Sequence, residues 1–175
     1  KRDSLLAELV EEYDSKIERF IPGETPVPVS GKVFGSSEVL NGLNAVLEFW
    51  LTAGHYSEEF SKSLREYTGS REVALCNSGS SANLVAFNTL TSPKLGDRAI
   101  QPGDEVIGVA AGFPTTVNPV LQFGAVPVFV DIEPRYYEIN PEKLEAAITP
   151  KTRCIIPVHL FGCPCDMATI MRIAS

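Results

Sequence analysis

VALCNSGSSANLVAFNTL, residues 73–90, and GDEVIGVAAGFPTTVNPVLQFGAVPVFV, residues 103–130, decide the fold. Each opens with a short apolar run, breaks at a turn rich in Gly, Ser or Pro, and then takes up helical spacing. The pattern predicts strands at 73–76, 105–110 and 126–130. It predicts helices at 80–90 and near 115–123, the latter with a kink or late start at Pro119. Asn140-Pro141 supplies an N-cap followed by Pro at the first helical position, opening a helix over 142–148. A fourth strand is expected at 154–159, and Asp166 caps a helix that runs to the end. Strands alternating with helices imply right-handed crossovers and a largely parallel sheet. The strands are nearly continuous apolar runs, as expected where both sheet faces are covered. The fold class is α/β.

Upstream the texture differs. Leu6, Val10, Tyr13 and Ile17 recur at steps of three and four, predicting an amphipathic helix over 4–19. Residues 22–31 hold Pro and Gly and read as an extended arm or loop. Val39, Leu43, Val46 and Trp50 mark a helix over 37–50. A third starts at Ser57 as N-cap, should bury Phe60, Leu64 and Tyr67, and ends at Gly69. Residues 1–56 therefore read as a helical and arm segment, and 57–175 as the α/β part.

The 175 residues suffice for one α/β domain with a real core. A net charge of −7 argues against a nucleic-acid partner, which usually needs a basic face. No apolar run approaches the ~20 residues of a membrane span. The start of the chain lacks the apolar core of a signal peptide, so a cytoplasmic location is the expectation. Cys76, Cys154, Cys163 and Cys165 make no CxxC pair. Cys163-Pro164-Cys165 has only His159 nearby, an incomplete set for zinc, so structural or incidental thiols are favoured and no metal site is assigned.

Three places could carry chemistry. Asn77-Ser78-Gly79-Ser80-Ser81-Ala82-Asn83 joins a strand to a helix, where open α/β sheets place their ligands. Small residues at a helix start leave N–H groups free, and the helix dipole favours an anion there. An ordinary N-cap explains the same residues equally well. The turn lacks the Gly-Lys-Ser/Thr ending of a Walker loop and is not a Rossmann fingerprint. Ala111-Gly112-Phe113-Pro114-Thr115-Thr116 ends the next strand, and Phe113 could offer a flat face to a planar phosphorylated ring. In isolation it reads rather as a core residue plugging the junction. His159, ending the last strand, is a candidate rim residue, although a lone His is more often structural.

Taken together, NSGSSANLVAF, GDEVIGVAAGFPTTVNPVLQFGAVPVFVDIEP, INPEKLEAAITPKTRCIIPVHLFG and the final helix resemble the DegT/DnrJ family of nucleotide-sugar enzymes. The resemblance runs from Leu51 to the end, with the Trp50-Leu51-Thr52-Ala53-Gly54 turn and Phe60. The long connection over 91–104 looks like the CDP-4-keto-6-deoxy-D-glucose 3-dehydrase (RfbH-like) branch, which serves lipopolysaccharide O-antigen synthesis. What this implies is the aspartate-aminotransferase fold (fold type I), with residues 57–175 forming part of its large cofactor-binding domain. The cofactor would be pyridoxal or pyridoxamine 5′-phosphate. Gly79 and Ser80 backbone groups with the Ser81 side chain would hold its phosphate, and Phe113 would stack on its ring. The resemblance further implies a nucleotide-sugar substrate, a homodimer and, for the dehydrase, a [2Fe-2S] cluster fed by a partner reductase. A nucleotide-sugar aminotransferase and a non-catalytic regulatory relative are the alternatives.

By the same resemblance, the Asp at the pyridine nitrogen, the position holding Lys in aminotransferases and His in dehydrases, and the cluster cysteines would follow Ser175. The chain reads as an N-terminal fragment with no catalytic residue of its own, expected to bind cofactor weakly and to catalyse nothing. None of its four cysteines matches the cluster motif.

Overall fold

The structure is a computed structural model that describes residues 2–14, 20–27, 31 and 34–175. The chain divides into two compact units, residues 1–74 and 75–175.

The first unit is helical. Helices α1 (Arg2–Asp14) and α2 (Ser36–Glu48) pack on one another, and Val10 of α1 is buried. The apolar spacing predicts α1 through residue 19; residues 15–19, with Ile17, lie outside the described residues. Gly35 precedes α2 and donates its N–H to Glu38 Oε2 at 2.7 Å. That bond holds the Glu38 carboxyl below the usual carboxylate range. The helix stops at Glu48 rather than Trp50, because Phe49 turns left-handed with φ 53°.

Helix α3 (His55–Thr68) starts earlier than its sequence suggests: Gly54, not Ser57, is its N-cap. The cause is the turn before it. Trp50 Nε1 donates to the Ala53 carbonyl at 3.0 Å, and the indole lies so close to Gly54 that a Cβ there would stand 2.7 Å from Trp50 Cδ1. The Ser57 N–H instead bonds the Gly54 carbonyl. The expected burial also fails: Phe60 is 56% and Tyr67 90% exposed. Gly54→Ala should displace the indole and cost about 1 kcal/mol. Trp50 is the sole tryptophan, so its near-UV circular dichroism should lose intensity in the variant; an unchanged band and melting midpoint would contradict this packing.

The second unit is a three-stranded parallel sheet with helices on both faces. Its strands are β1 (Glu105–Val109), β2 (Val126–Val130) and β3 (Thr152–Ile156), in the order β2-β1-β3. Its helices are α4 (Gly79–Leu90), α5 (Pro114–Phe123), α6 (Pro141–Ala147) and α7 (Met167–Ile173). Central β1 aligns Glu105 to Val109 with Val126 to Val130. Its alternating side chains feed two cores. Val106 packs with Phe87 of α4 and Val120 of α5. Ile107 and Val109 pack with Val130, with Leu144 of α6 and with Ile170 of α7.

Local cap chemistry sets several helix starts. Asn140 Oδ1 accepts from the N–H groups of Glu142 and Lys143. Asp166 accepts from the Thr169 hydroxyl and, less strongly, from its N–H, and these bonds hold its carboxyl low. Pro119 sits inside α5 without delaying its start, which is Pro114.

Two differences from the sequence reading concern strands. Residues 73–76 form no strand, leaving three among the described residues rather than four. An apolar run becomes a strand only through hydrogen bonds to a neighbour, and this one has no paired neighbour here. The last strand is Thr152–Ile156 rather than 154–159; Pro157 follows it directly, and its missing N–H cannot extend the ladder.

Candidate functional site

The Ser-rich turn begins α4. Ser78, with φ −162° and ψ 162°, is the N-cap. Its Oγ accepts from the Ser81 N–H at 3.2 Å and donates to Ser81 Oγ at 3.2 Å. The Ala82 N–H bonds the Ser78 carbonyl. Two donors at the helix start, the N–H groups of Gly79 and Ser80, have no partner among the described residues. They are the orphan donors that every helix start presents, and the dipole gives them a positive potential. Ser81 accepts from Ser78, so its own hydroxyl proton remains available.

Gly79 has open space around it: a Cβ there would meet nothing within 4 Å. Packing in the second unit therefore does not require a glycine. What its small size does is leave the N–H approachable.

Phe113 precedes Pro114 at the start of α5 and accepts from the Thr116 N–H through its carbonyl. Its ring is 68% exposed, so it does not plug the helix–strand junction. Asn83 of α4 donates from Nδ2 to Thr115 Oγ1 of α5 at 3.3 Å. That bond places the first turns of both helices side by side. Ser80 and Ser81 share a cleft of about 180 Å³ with Thr115, Asn118 and Gln122. Because α5 follows β1, its first turn, with Thr115, lies at the carboxyl edge of the sheet, where ligands of open α/β folds bind, and the cleft runs from there along the helix to Gln122. The structure thus brings the Ser-rich turn and the segment carrying Phe113 to one edge.

His159 follows β3, which is parallel to and paired with β1, so its loop leaves the sheet at that edge too. Its Nδ1 accepts from the Cys165 N–H at 3.0 Å, which puts the proton of the neutral ring on Nε2. Cys165 is buried and its thiol donates to the Val158 carbonyl at 3.2 Å. The imidazole therefore serves the fold, tying the 163–165 turn to the strand end. Nothing among the described residues links it to Gly79–Ser81. All four cysteines are free, and burial pushes the thiols of Cys154 and Cys165 up. Among the described residues no group of three or more His, Cys, Asp or Glu could hold a metal, and no helix is long and apolar enough to cross a membrane.

A larger hollow, about 640 Å³, lies in the first unit beside Trp50, Gly54 and His55. Glu48 and Glu58 line it, and their charges disfavour an anion there. At the sheet edge, Asp131 follows β2 and is paired with Lys143 Nζ at 3.0 Å, a bond that holds its carboxyl low.

With this geometry in place, the sequence profile of the DegT/DnrJ/EryC1/StrS aminotransferase family matches residues 35–175. The chain belongs to this family. It is 46% identical, over 97% of its length, to the lipopolysaccharide biosynthesis protein RfbH of Salmonella typhimurium. It is 43% identical, over 99% of its length, to a dTDP-4-dehydro-2,6-dideoxy-D-glucose 3-dehydratase of Saccharopolyspora spinosa. It covers 40% of the first relative and 38% of the second, so it spans about two-fifths of their length. Among solved structures it is similar to a GDP-4-keto-6-deoxymannose-3-dehydratase with a trapped PLP-glutamate geminal diamine. The TM-score is 0.78 at 30% identity, covering 86% of this chain and 38% of that one. The family and dehydrase-branch resemblance drawn from the sequence is met, and so is the α/β fold it implied.

Two features of the candidate site are not specified by the sequence reading. The sequence offers an ordinary N-cap in this turn without saying which residue it is; the structure assigns it to Ser78. The Asn83–Thr115 bond joins residues 32 apart, and no local pattern announces it.

Proposed function

We propose that this chain is the part of a pyridoxamine- or pyridoxal-phosphate-dependent nucleotide-sugar 3-dehydrase that holds the cofactor's phosphate and ring. The observation that carries the reading is the pair of unpartnered N–H groups at Gly79 and Ser80, on the helix that packs against the one opened by Phe113. The residues fit the group: two backbone donors and a hydroxyl suit a phosphate, and an exposed aromatic ring suits a flat heterocycle. The trapped PLP adduct named for the similar dehydratase supports the same cofactor class.

In this reading Gly79 and Ser80 donate their N–H groups to phosphate oxygens, and Ser81 adds its hydroxyl proton. Ser78 does not bind; it caps the Ser81 N–H and so fixes the helix start. Phe113 covers one face of the heterocycle and excludes water from it. When bound, pyridoxamine phosphate would supply an amine that condenses with the sugar's C4 keto carbon and, as a base takes a proton from its C4′ methylene, the electron pair that expels the C3 hydroxyl. This chain's residues orient that group; His159 stands as a rim residue whose Nε2–H is its free donor. The proton-moving group and any [2Fe-2S] cluster belong, in this proposal, to the remainder of a protein as long as its relatives. None of the four cysteines here is assigned to the cluster. A homodimer, a reductase partner, a cytoplasmic location and a place in lipopolysaccharide sugar synthesis complete the proposal.

The test is reaction of the full-length protein with CDP-4-keto-6-deoxyglucose, pyridoxamine phosphate and a reductant. Loss of the C3 hydroxyl, read by mass spectrometry, is the expected result. Transfer of label from ¹⁵N-glutamate to the sugar would identify an aminotransferase instead. Absence of both reactions, with no cofactor uptake, would leave a non-catalytic relative.

A further inference from the structure

We infer that Asn83 and Thr115 are a positioning pair that sets the phosphate cradle and the ring platform at a fixed separation. The inference rests on the cofactor reading above and extends it to residues that touch no cofactor atom in that reading.

Phe113 has little to hold its ring. The ring is mostly exposed, and the residue gives α5 no side-chain cap. The backbone of the first turn of α5 must therefore set where the ring stands. Pro114 stiffens that turn, since its φ is fixed and it removes one donor. Thr115, two residues after Phe113, is the position at which the turn is anchored to another element. Its Oγ1 accepts from Asn83 Nδ2, and this is the one side-chain hydrogen bond joining α4 to α5 among the described residues.

The other end of the bond is equally placed. Asn83 lies four residues after Gly79 on α4, so the two share one helix face. The link therefore sits one turn behind the unpartnered N–H groups. Other polar side chains of α4 are spent locally: Asn88 and Thr89 donate to carbonyls four residues back. Asn83 instead reaches across to α5. A ligand that is both phosphorylated and aromatic has a fixed distance between its two ends. It binds well only if cradle and platform are already at that distance.

This separates two ligands. Inorganic phosphate needs the cradle alone, whereas pyridoxamine phosphate needs both parts. The experiment titrates ¹⁵N-labelled chain with each, following amide shifts, for the wild type, Asn83→Ala, Thr115→Val, the double variant and Thr115→Ser. The expected result is a three- to tenfold weaker affinity for pyridoxamine phosphate in each single variant, about the loss of one hydrogen bond. The double variant should be no worse than either single one, because both remove the same bond. Thr115→Ser, which keeps the hydroxyl, should restore affinity. Affinity for inorganic phosphate should stay within about 1.5-fold throughout. Equal weakening of both ligands, or additive losses in the double variant, would overturn the inference in favour of a general effect on folding. Unchanged affinities would overturn it outright. A wild type that binds phosphate and pyridoxamine phosphate with the same affinity would overturn the pairing of cradle and platform, and one that binds neither would overturn the cofactor reading with it.

Discussion

Gly79→Pro should keep the melting midpoint of the wild type and weaken pyridoxamine phosphate binding by about 10- to 100-fold. Three observations allow the substitution. Residue 79 is the first of α4, where proline's fixed φ suits the helix and its missing N–H breaks no helical bond. Ser78 already holds the extended conformation that a residue before proline prefers. A Cβ at 79 meets nothing within 4 Å. The variant thus removes one donor and little else. A hydrogen bond to a charged group contributes about 1.5–3 kcal/mol, which corresponds to the affinity loss stated. Isothermal titration alongside a thermal melt checks it. Retained affinity with an intact fold would mean that the Gly79 N–H holds no phosphate.

Ile107→Ala should destabilise the second unit by about 2–5 kcal/mol, the range for truncating a buried aliphatic side chain. Ile107 has 0% exposure at the centre of the middle strand. It packs with Leu144 of α6 and Ile170 of α7 on one face, while Val106 serves the other. A cavity there cannot be filled by solvent, and the parallel strands on both sides limit collapse. Phe129→Ala, at a residue 55% exposed, is the control and should cost far less despite its larger volume change. Urea unfolding followed by circular dichroism gives both values. Equal costs would contradict a core with two distinct faces.

Where sequence reading succeeds, the signal is local. Residues 126–130 read as a strand because the apolar run is bounded by Gly124-Ala125 and by Asp131. Asn140-Pro141 reads as a helix start because cap and proline chemistry act within three residues. It fails where the deciding partner is elsewhere. The run at 73–76 has strand composition, but a strand exists only through its neighbour. Ser57 is a good N-cap in isolation, yet the Trp50–Ala53 bond closes the turn early and hands the role to Gly54. Helical spacing marks Phe60 and Tyr67 as buried, and only the fold reveals that they are exposed. At the candidate site the composition of the turn is legible, whereas its wiring is not. An N-cap in the turn is legible, but its assignment to Ser78 and the link from Asn83 to Thr115 depend on geometry that spacing does not encode.

The most direct test is an amide NMR titration of the chain with pyridoxamine phosphate, which forms no adduct with surface lysines. A phosphate cradle at the start of α4 predicts saturable downfield shifts of the Gly79 and Ser80 amides, with the aromatic resonances of Phe113 moving over the same concentration range. Amides of the two residues that stay in place at saturating ligand, or shifts clustered around Trp50 and His55 instead, would contradict it.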